Sequence, residues 1–315
     1  MEVLKNARGY KADFLSSPTP VPLPDLPPEL QSKVAPVSRS KTNVLKYVHY
    51  SVIQHAERKL PIVTAANMNG KSFVKLKRAE IFDNRGDKWY KDPRIDKKYQ
   101  WGQELYSAPK SDFDKGHMTK REDVQWGRNK SLAKRAAAST FFYTNAVPQH
   151  KDVNRAIWRD IEDYILHEET IEHGLKINTF TGPIFNDSDP EFISPVKGEK
   201  IQLPTLFWKV IYFGKKKELF RLGFLVGQDG LLKKHGIVKQ TSSRGLGAES
   251  GDLFADFEEA DTYQVNVTFI EELSGMRFPN AWELFHDDRP RKLILETVNT
   301  RSLTAGPPKI TNLVF

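Results

Sequence analysis

The segments Asp114-Lys115-Gly116-His117, Tyr143-Thr144-Asn145-Ala146-Val147-Pro148-Gln149 and Asp152-Val153-Asn154-Arg155-Ala156-Ile157-Trp158, the last running on to Glu162, decide how this 315-residue chain is read. The first puts a histidine beside a fixed cation in a glycine-bearing turn. The second closes a strand near Asn145. The third opens the best helix in the sequence, because the carboxylate of Asp152 can accept from exposed first-turn amides as an N-cap. Val153, Ile157, Ile161, Tyr164 and Ile165 then recur at helical spacing to about His173, with Gly174 as the stop.

These residue types suit hydrolysis of a phosphodiester with one hard metal ion. The reaction needs a base for water, positive charge where the phosphorane develops and help for the departing oxygen. Histidine ordinarily titrates near neutrality, so His117 can be the base while uncharged. Asn154 offers an amide oxygen as a single neutral ligand, which suits magnesium because that ion keeps most of its water shell. Glu162 lies about two turns further on, so it can share the Asn154 face and hold a metal-bound water. Asn145 is placed to orient a water or to brace the His117 loop, and Lys115 points a cation towards the scissile phosphate. Each residue alone has a plainer reading: a surface histidine in a turn, a first-turn asparagine, a solvated glutamate, a turn-forming asparagine. Their joint order and spacing favour the chemical reading.

Outward from this stretch, residues 16–43 hold seven prolines (Pro18, Pro20, Pro22, Pro24, Pro27, Pro28, Pro36). Prolines cannot donate to a ladder and favour an extended backbone, so 1–43 reads as an N-terminal arm, a linker or surface wrap rather than core, with a disordered tail as the plainer alternative and 44–315 as the domain proper. Residues 45–53 read as one strand and 60–66 as a second, with Asn69-Gly70 as a turn. Ile177 to Thr181 reads as a strand ending at Gly182-Pro183, and 205–213 and 221–226 as core strands around a Lys215-Lys216-Lys217 hairpin turn. The polar, glycine-rich stretch 228–257 reads as a mobile loop, and the period over 263–271 fits either strand or helix.

The formal charge of +8 favours a polyanionic partner. With no cysteine, disulfides and thiolate metal sites are excluded. The eight histidines show no His-x-x-x-His pair or similar ligand cluster, which counts against a zinc hydrolase. No apolar run has the length of a membrane span and residues 1–14 carry no apolar signal core, so a cytoplasmic protein is expected, with non-classical export as the alternative.

At Asp114-Lys115-Gly116-His117, Thr144-Asn145-Ala146-Val147-Pro148-Gln149 and Asn154, Trp158 and Glu162 in register, the chain resembles the DNA/RNA non-specific endonucleases, the ββα-metal or His-Me finger family. The flanks Asp92-Pro93-Arg94-Ile95, Arg121-Glu122-Asp123, Trp126-Gly127, Thr181-Gly182-Pro183 and Phe278-Pro279 extend the resemblance over roughly 44–285. It implies an α+β fold with a central antiparallel sheet, flanking helices and the ββα finger. It also implies magnesium dependence, with manganese as a substitute, and cleavage of DNA and RNA to 5′-phosphate and 3′-hydroxyl ends. By analogy His117 is the general base, Asn154 the metal ligand, and Lys115, Asn145 and Glu162 supporting catalytic residues. Nucleic acid is then the partner, with Arg128, Lys130, Lys134 and Arg135 as candidate phosphate contacts. A homodimer and an inhibitor or regulatory partner are further options. Lys115 replaces the family's arginine, which keeps the charge but loses the planar two-pronged contact. An arginine found in some relatives falls on Leu166. A catalytically impaired nucleic-acid-binding module is the alternative reading.

Overall fold

The computed structural model describes residues 2–15, 18–155, 170–239, 261–296, 309–310 and 312–314. Trp158, Glu162, Leu166 and most of the polar stretch up to residue 257 lie outside them, as does the side chain of Asn154.

The long apolar segments pair into one central antiparallel sheet. Its strands are β1 (Val44–Lys46), β2 (Tyr50–Gln54) and β3 (Pro61–Asn69), then β6 (Lys176–Ile184), β7 (Leu206–Lys215), β8 (Glu218–Gly227) and β9 (Thr262–Val265), in that spatial order. The remaining pair, β4 (Phe113–His117) and β5 (Ala146–His150), forms a separate two-stranded sheet. Period-two alternation in β7 sends Leu206, Trp208, Val210 and Tyr212 to one face and Phe207, Ile211 and Phe213 to the other. The first face is covered by the helix Val267–Ser274 and by the N-terminal segment. The second shares a buried cluster with Met118, Val147 and Val153, so the β4–β5 unit is docked on that face.

Several expectations need correction. Residues 45–53 form two strands, not one, because His49 takes a left-handed φ of 71° between them. Its ring stacks on Trp126 at 3.5 Å and its Nε2 lies 3.2 Å from the Trp126 carbonyl, contacts that pin the turn. The strand expected to stop at Gly182-Pro183 runs on to Ile184, with Pro183 opposite Phe207 and the Pro183 carbonyl accepting from Trp208 Nε1 at 3.2 Å. The proline-rich N-terminal segment is not uniformly extended, since Pro28–Ser32 forms a short helix, and it packs against the core. Leu15 and Val21 are buried in the main cluster, and the Tyr10 hydroxyl donates to the Val21 carbonyl at 2.6 Å. The stretch after Gln228 begins as a helix, Asp229–Lys234, followed by buried Ile237 and Val238. The ambiguous segment after Thr262 is both strand and helix: β9 ends at Val265, and Asn266 caps the helix Val267–Ser274 by accepting from the Phe269 amide. The lysine run is a hairpin turn, with Lys216 and Lys217 at positive φ between β7 and β8. Among the described residues no helix is long and apolar enough to cross a membrane.

Candidate active site

Strands β4 and β5 pair in antiparallel register, Asp114 opposite Gln149, Gly116 opposite Val147 and His117 opposite Ala146. The helix α5 (Lys151–Arg155) follows β5 directly and packs on both strands. This is a ββα unit, its two strands joined by a long connection that includes the helix Lys130–Ser139. Asp152 is not the N-cap expected from the sequence: the helix begins at Lys151, so Asp152 lies in its first turn two positions after the cap position, and Asn154 is in the same short helix.

Gly116 is needed for close approach. A Cβ there would lie 2.0 Å from Gln149 Oε1 and 2.4 Å from its Cδ, so the glutamine side chain lies against the bare glycine backbone. Neither polar atom of the Gln149 carboxamide has a partner, although the residue is buried.

Alternation along β4 puts Lys115 and His117 on one face. The imidazole of His117 sits between Trp89, at 4.7 Å between ring centroids, and Phe141, at 5.0 Å and nearly perpendicular. Its Nε2 is buried and has no hydrogen-bond partner among the described residues. Burial, then the cations Arg78, Arg121 and Lys120 against the opposing charge of Asp87, push its pKa down to about 3. The ring is therefore uncharged at neutral pH, and the unpartnered nitrogen is free to accept a proton. Lys115 Nζ lies over the rings of Tyr106, at 5.4 Å, and Trp89, at 5.9 Å. Burial lowers its pKa from the ordinary lysine value, against the pull of Asp87 and Asp114. Arg78 grips Asp87 through Nε at 3.0 and 3.1 Å. Burial pushes the Asp87 carboxyl up, but the hydrogen bond and charge of Arg78 prevail and hold it below its usual range.

The carboxamide of Asn145 is wholly buried and fully engaged with backbone. The Thr119 amide donates to Oδ1 at 2.9 Å, and Nδ2 donates to the carbonyls of Thr119 and Thr140, each at 3.0 Å. Its own carbonyl accepts from the Met118 amide at 2.9 Å, so the residues just after His117 hang on Asn145.

Arg78, Asp87 and Trp89 come from a connection about thirty residues upstream, and no spacing rule ties them to the histidine. Of the expected phosphate contacts, Lys130 pairs with Glu80 at 2.6 Å and Lys134 with Asp83. These pairs join the helix Lys130–Ser139 to the segment around Arg78–Ile81. The positive charge beside His117 comes instead from Arg78, Lys115, Lys120 and Arg121.

A hard, hydrated ion fits this surrounding. The four cations beside His117 repel a bare dication, so an ion is tolerated there best with anionic phosphate and its own water. His117 offers an acceptor nitrogen for that water, and α5 brings the neutral Asn154 into the same unit.

The profile of a family described as DNA/RNA non-specific endonuclease matches residues 27–285. The protein y4fB of Sinorhizobium fredii is 34% identical over 231 residues, covering 70% of this chain and 32% of its own length. A nuclease of Nostoc sp. is 33% identical over 107 residues, covering 34% of this chain and 33% of its own. The chain thus spans about a third of the length of these curated relatives. Among solved structures, a chain in the crystal structure of the EndoG/EndoGI complex shares the fold with a TM-score of 0.50 at 16% identity. That likeness covers 75% of this chain and 84% of the other.

Proposed function

This chain belongs to the DNA/RNA non-specific endonuclease family, and from that premise we propose that it hydrolyses phosphodiester bonds of DNA and RNA with magnesium, leaving 5′-phosphate and 3′-hydroxyl ends. The observation that carries the proposal is the uncharged, buried and unpartnered Nε2 of His117, set among Arg78, Lys115 and Arg121. Nε2 takes a proton from a water molecule, whose oxygen attacks phosphorus. The bond to the 3′-oxygen breaks, and that oxygen takes up a proton from solvent. Arg78, Lys115 and Arg121 bind the phosphate and stabilise the charge that grows on its oxygens. Phosphate arriving between these cations also offsets the charge that depresses His117 and makes it a better base in the complex. Asn154 would hold the magnesium ion, which supplies charge stabilisation for the phosphoryl and leaving oxygens. Glu162 is proposed to steady water on the ion. Asn145 keeps the His117 loop in place through its three backbone hydrogen bonds. Contacts confined to phosphate carry no base readout, which fits cleavage with little sequence preference.

The test is digestion of single- and double-stranded DNA and of RNA with and without Mg²⁺, beside His117→Ala and Asn154→Ala. Cleavage is expected to need Mg²⁺ and to fall at least a hundredfold in either variant. Salt-sensitive binding without cleavage at any metal concentration would identify an impaired binding module. Undiminished cleavage by His117→Ala would reject the assignment.

A further inference from the structure

At the far end of the finger from His117, three residues remote in sequence converge. Asp112 precedes β4, His150 ends β5, and His235 closes the helix Asp229–Lys234. One ligand atom from each lies within 4.8 Å of the others. His150 is fully buried, and its Nε2 has no hydrogen-bond partner among the described residues, lying 3.8 Å from Asp112 Oδ2. The rings of His150 and His235 stack at 4.6 Å. On the other side of His150, Nδ1 is 3.5 Å from Asp152 Oδ2.

We infer that Asp112, His150 and His235 form a second metal site, for a borderline first-row transition ion of the zinc class, distinct from the magnesium site proposed on α5. Two imidazoles and one carboxylate are the donors such an ion takes, whereas magnesium takes oxygen. Three protein ligands leave a fourth position for water. In the structure His150 Nδ1 accepts from the Asp152 amide at 3.3 Å, so ligation through Nε2 requires the ring proton to move to Nδ1, where the Asp152 carboxylate, 3.5 Å away, would be its acceptor. The site is largely built. Gln228 Oε1 accepts from the His150 amide at 2.9 Å, while its Nε2 donates to the carbonyls of Pro204 and Pro148, fixing the start of the helix against β5. His235 is exposed, so its ring can close the remaining distance by rotating. Without an ion, Lys151 Nζ holds the Asp112 carboxylate at 2.8 Å and acts as the competitor. A bound ion would clasp the start of β4 and the end of β5 to that helix, just ahead of the α5 turn that carries Asn154.

The test titrates Co²⁺ and Zn²⁺ into the chelator-treated full chain, reading Co²⁺ visible absorption, stoichiometry and Tm. One ion per chain, with the intense visible bands of tetrahedral Co²⁺ and a Tm raised by Zn²⁺ but not by Mg²⁺, is expected. His235→Ala and Asp112→Asn, both at solvent-reached positions, should each weaken binding at least tenfold, and Lys151→Ala should tighten it. His117→Ala should leave it unchanged, which separates this site from the catalytic one whether or not nuclease activity is found. Absence of the Co²⁺ bands, or affinity unaltered in both His235→Ala and Asp112→Asn, would overturn the inference.

Discussion

Gly116 and Asn145 set the position of His117 by different means. At Gly116 the constraint is contact. The Gln149 side chain leaves no room for a methyl group, with Cγ as well as the terminal atoms inside 3 Å of the added carbon. Gln149 is buried and cannot swing into solvent, so Gly116→Ala must push β4 and β5 apart at the step before the base. Overpacking of this kind costs about 1–3 kcal/mol. Cleavage by Gly116→Ala is expected to fall at least tenfold, with a lowered urea midpoint. The double variant with Gln149→Ala, which frees the space, should regain most of the lost stability, and its failure to do so would place the effect elsewhere. At Asn145 the constraint is hydrogen bonding. Asn145→Ala leaves one amide and two carbonyls unpaired in a site closed to water, at a cost of about 2–4 kcal/mol. The variant should lose stability and activity together, read by denaturant titration beside the nuclease assay. Full stability with lost activity would mean that the carboxamide acts directly on the reaction.

At the scale of elements, the N-terminal segment departs most from its sequence reading. Lys11 donates its amide to Asn67 Oδ1 at 2.8 Å, Asn178 Nδ2 donates to the Tyr10 hydroxyl at 2.9 Å, and Asp25 and Arg277 exchange backbone hydrogen bonds. Together with buried Leu15 and Val21, these contacts make the segment a cover for one face of the sheet. Deleting residues 2–26 exposes that face and removes two buried aliphatic side chains worth about 1.5–3 kcal/mol each. The truncated protein is expected to show a Tm lower by several degrees and no gain in nuclease activity. Higher activity at unchanged Tm would instead make the segment a regulator. Proline content marked the segment as irregular but did not show the helix Pro28–Ser32, and its burial depends on apolar residues between the prolines meeting a sheet face that forms far along the chain. The same division runs through the other elements. Strands β3, β7 and β8 and the lysine turn were legible because runs of apolar, β-branched and aromatic residues and local turn chemistry define them. The break at His49 was not, since a ring from residue 126 holds it. In the site, motif order singled out the segments that become β4, β5 and α5, but it read the first as a turn and ended a strand at Asn145, where a short turn instead leads into β5. Arg78, Asp87, Trp89 and the Asp112–His150–His235 group could not be singled out, because only tertiary folding brings them together.

For the whole molecule, burial keeps three histidines uncharged: His49 and His55 with pKa values lowered to about 4, and His117 to about 3. Desolvation is the largest cause in each, reinforced by neighbouring cations such as Arg58 for His55. In the unfolded chain each titrates near 6.5, so as pH falls below that value the unfolded state binds protons that the folded state refuses. Stability held above about pH 6.5 is therefore lost progressively down to pH 3–4, by up to about 2 kcal/mol per histidine at pH 5. Asp189 works the other way. Burial raises its carboxyl to about 6 despite Arg58 at 3.0 Å, so it gains stability as pH falls through that value, but one group does not offset three. Unfolding should then precede protonation of the His117 imidazole, and loss of any activity on acidification should follow loss of structure. His55 allows a direct test. Its Nδ1 accepts the amides of Glu57 and Arg58, each at 3.1 Å, and an asparagine oxygen can take over both. His55→Asn removes one titrating group while keeping the turn, although it gives up the edge contact with Phe185. It is expected to be less stable than the parent at pH 8 but to lose about 2 kcal/mol less between pH 8 and pH 5 in urea titrations. A slope equal to the parent's would show that His55 takes up its proton as readily folded as unfolded, and the acid sensitivity would have to come from other groups.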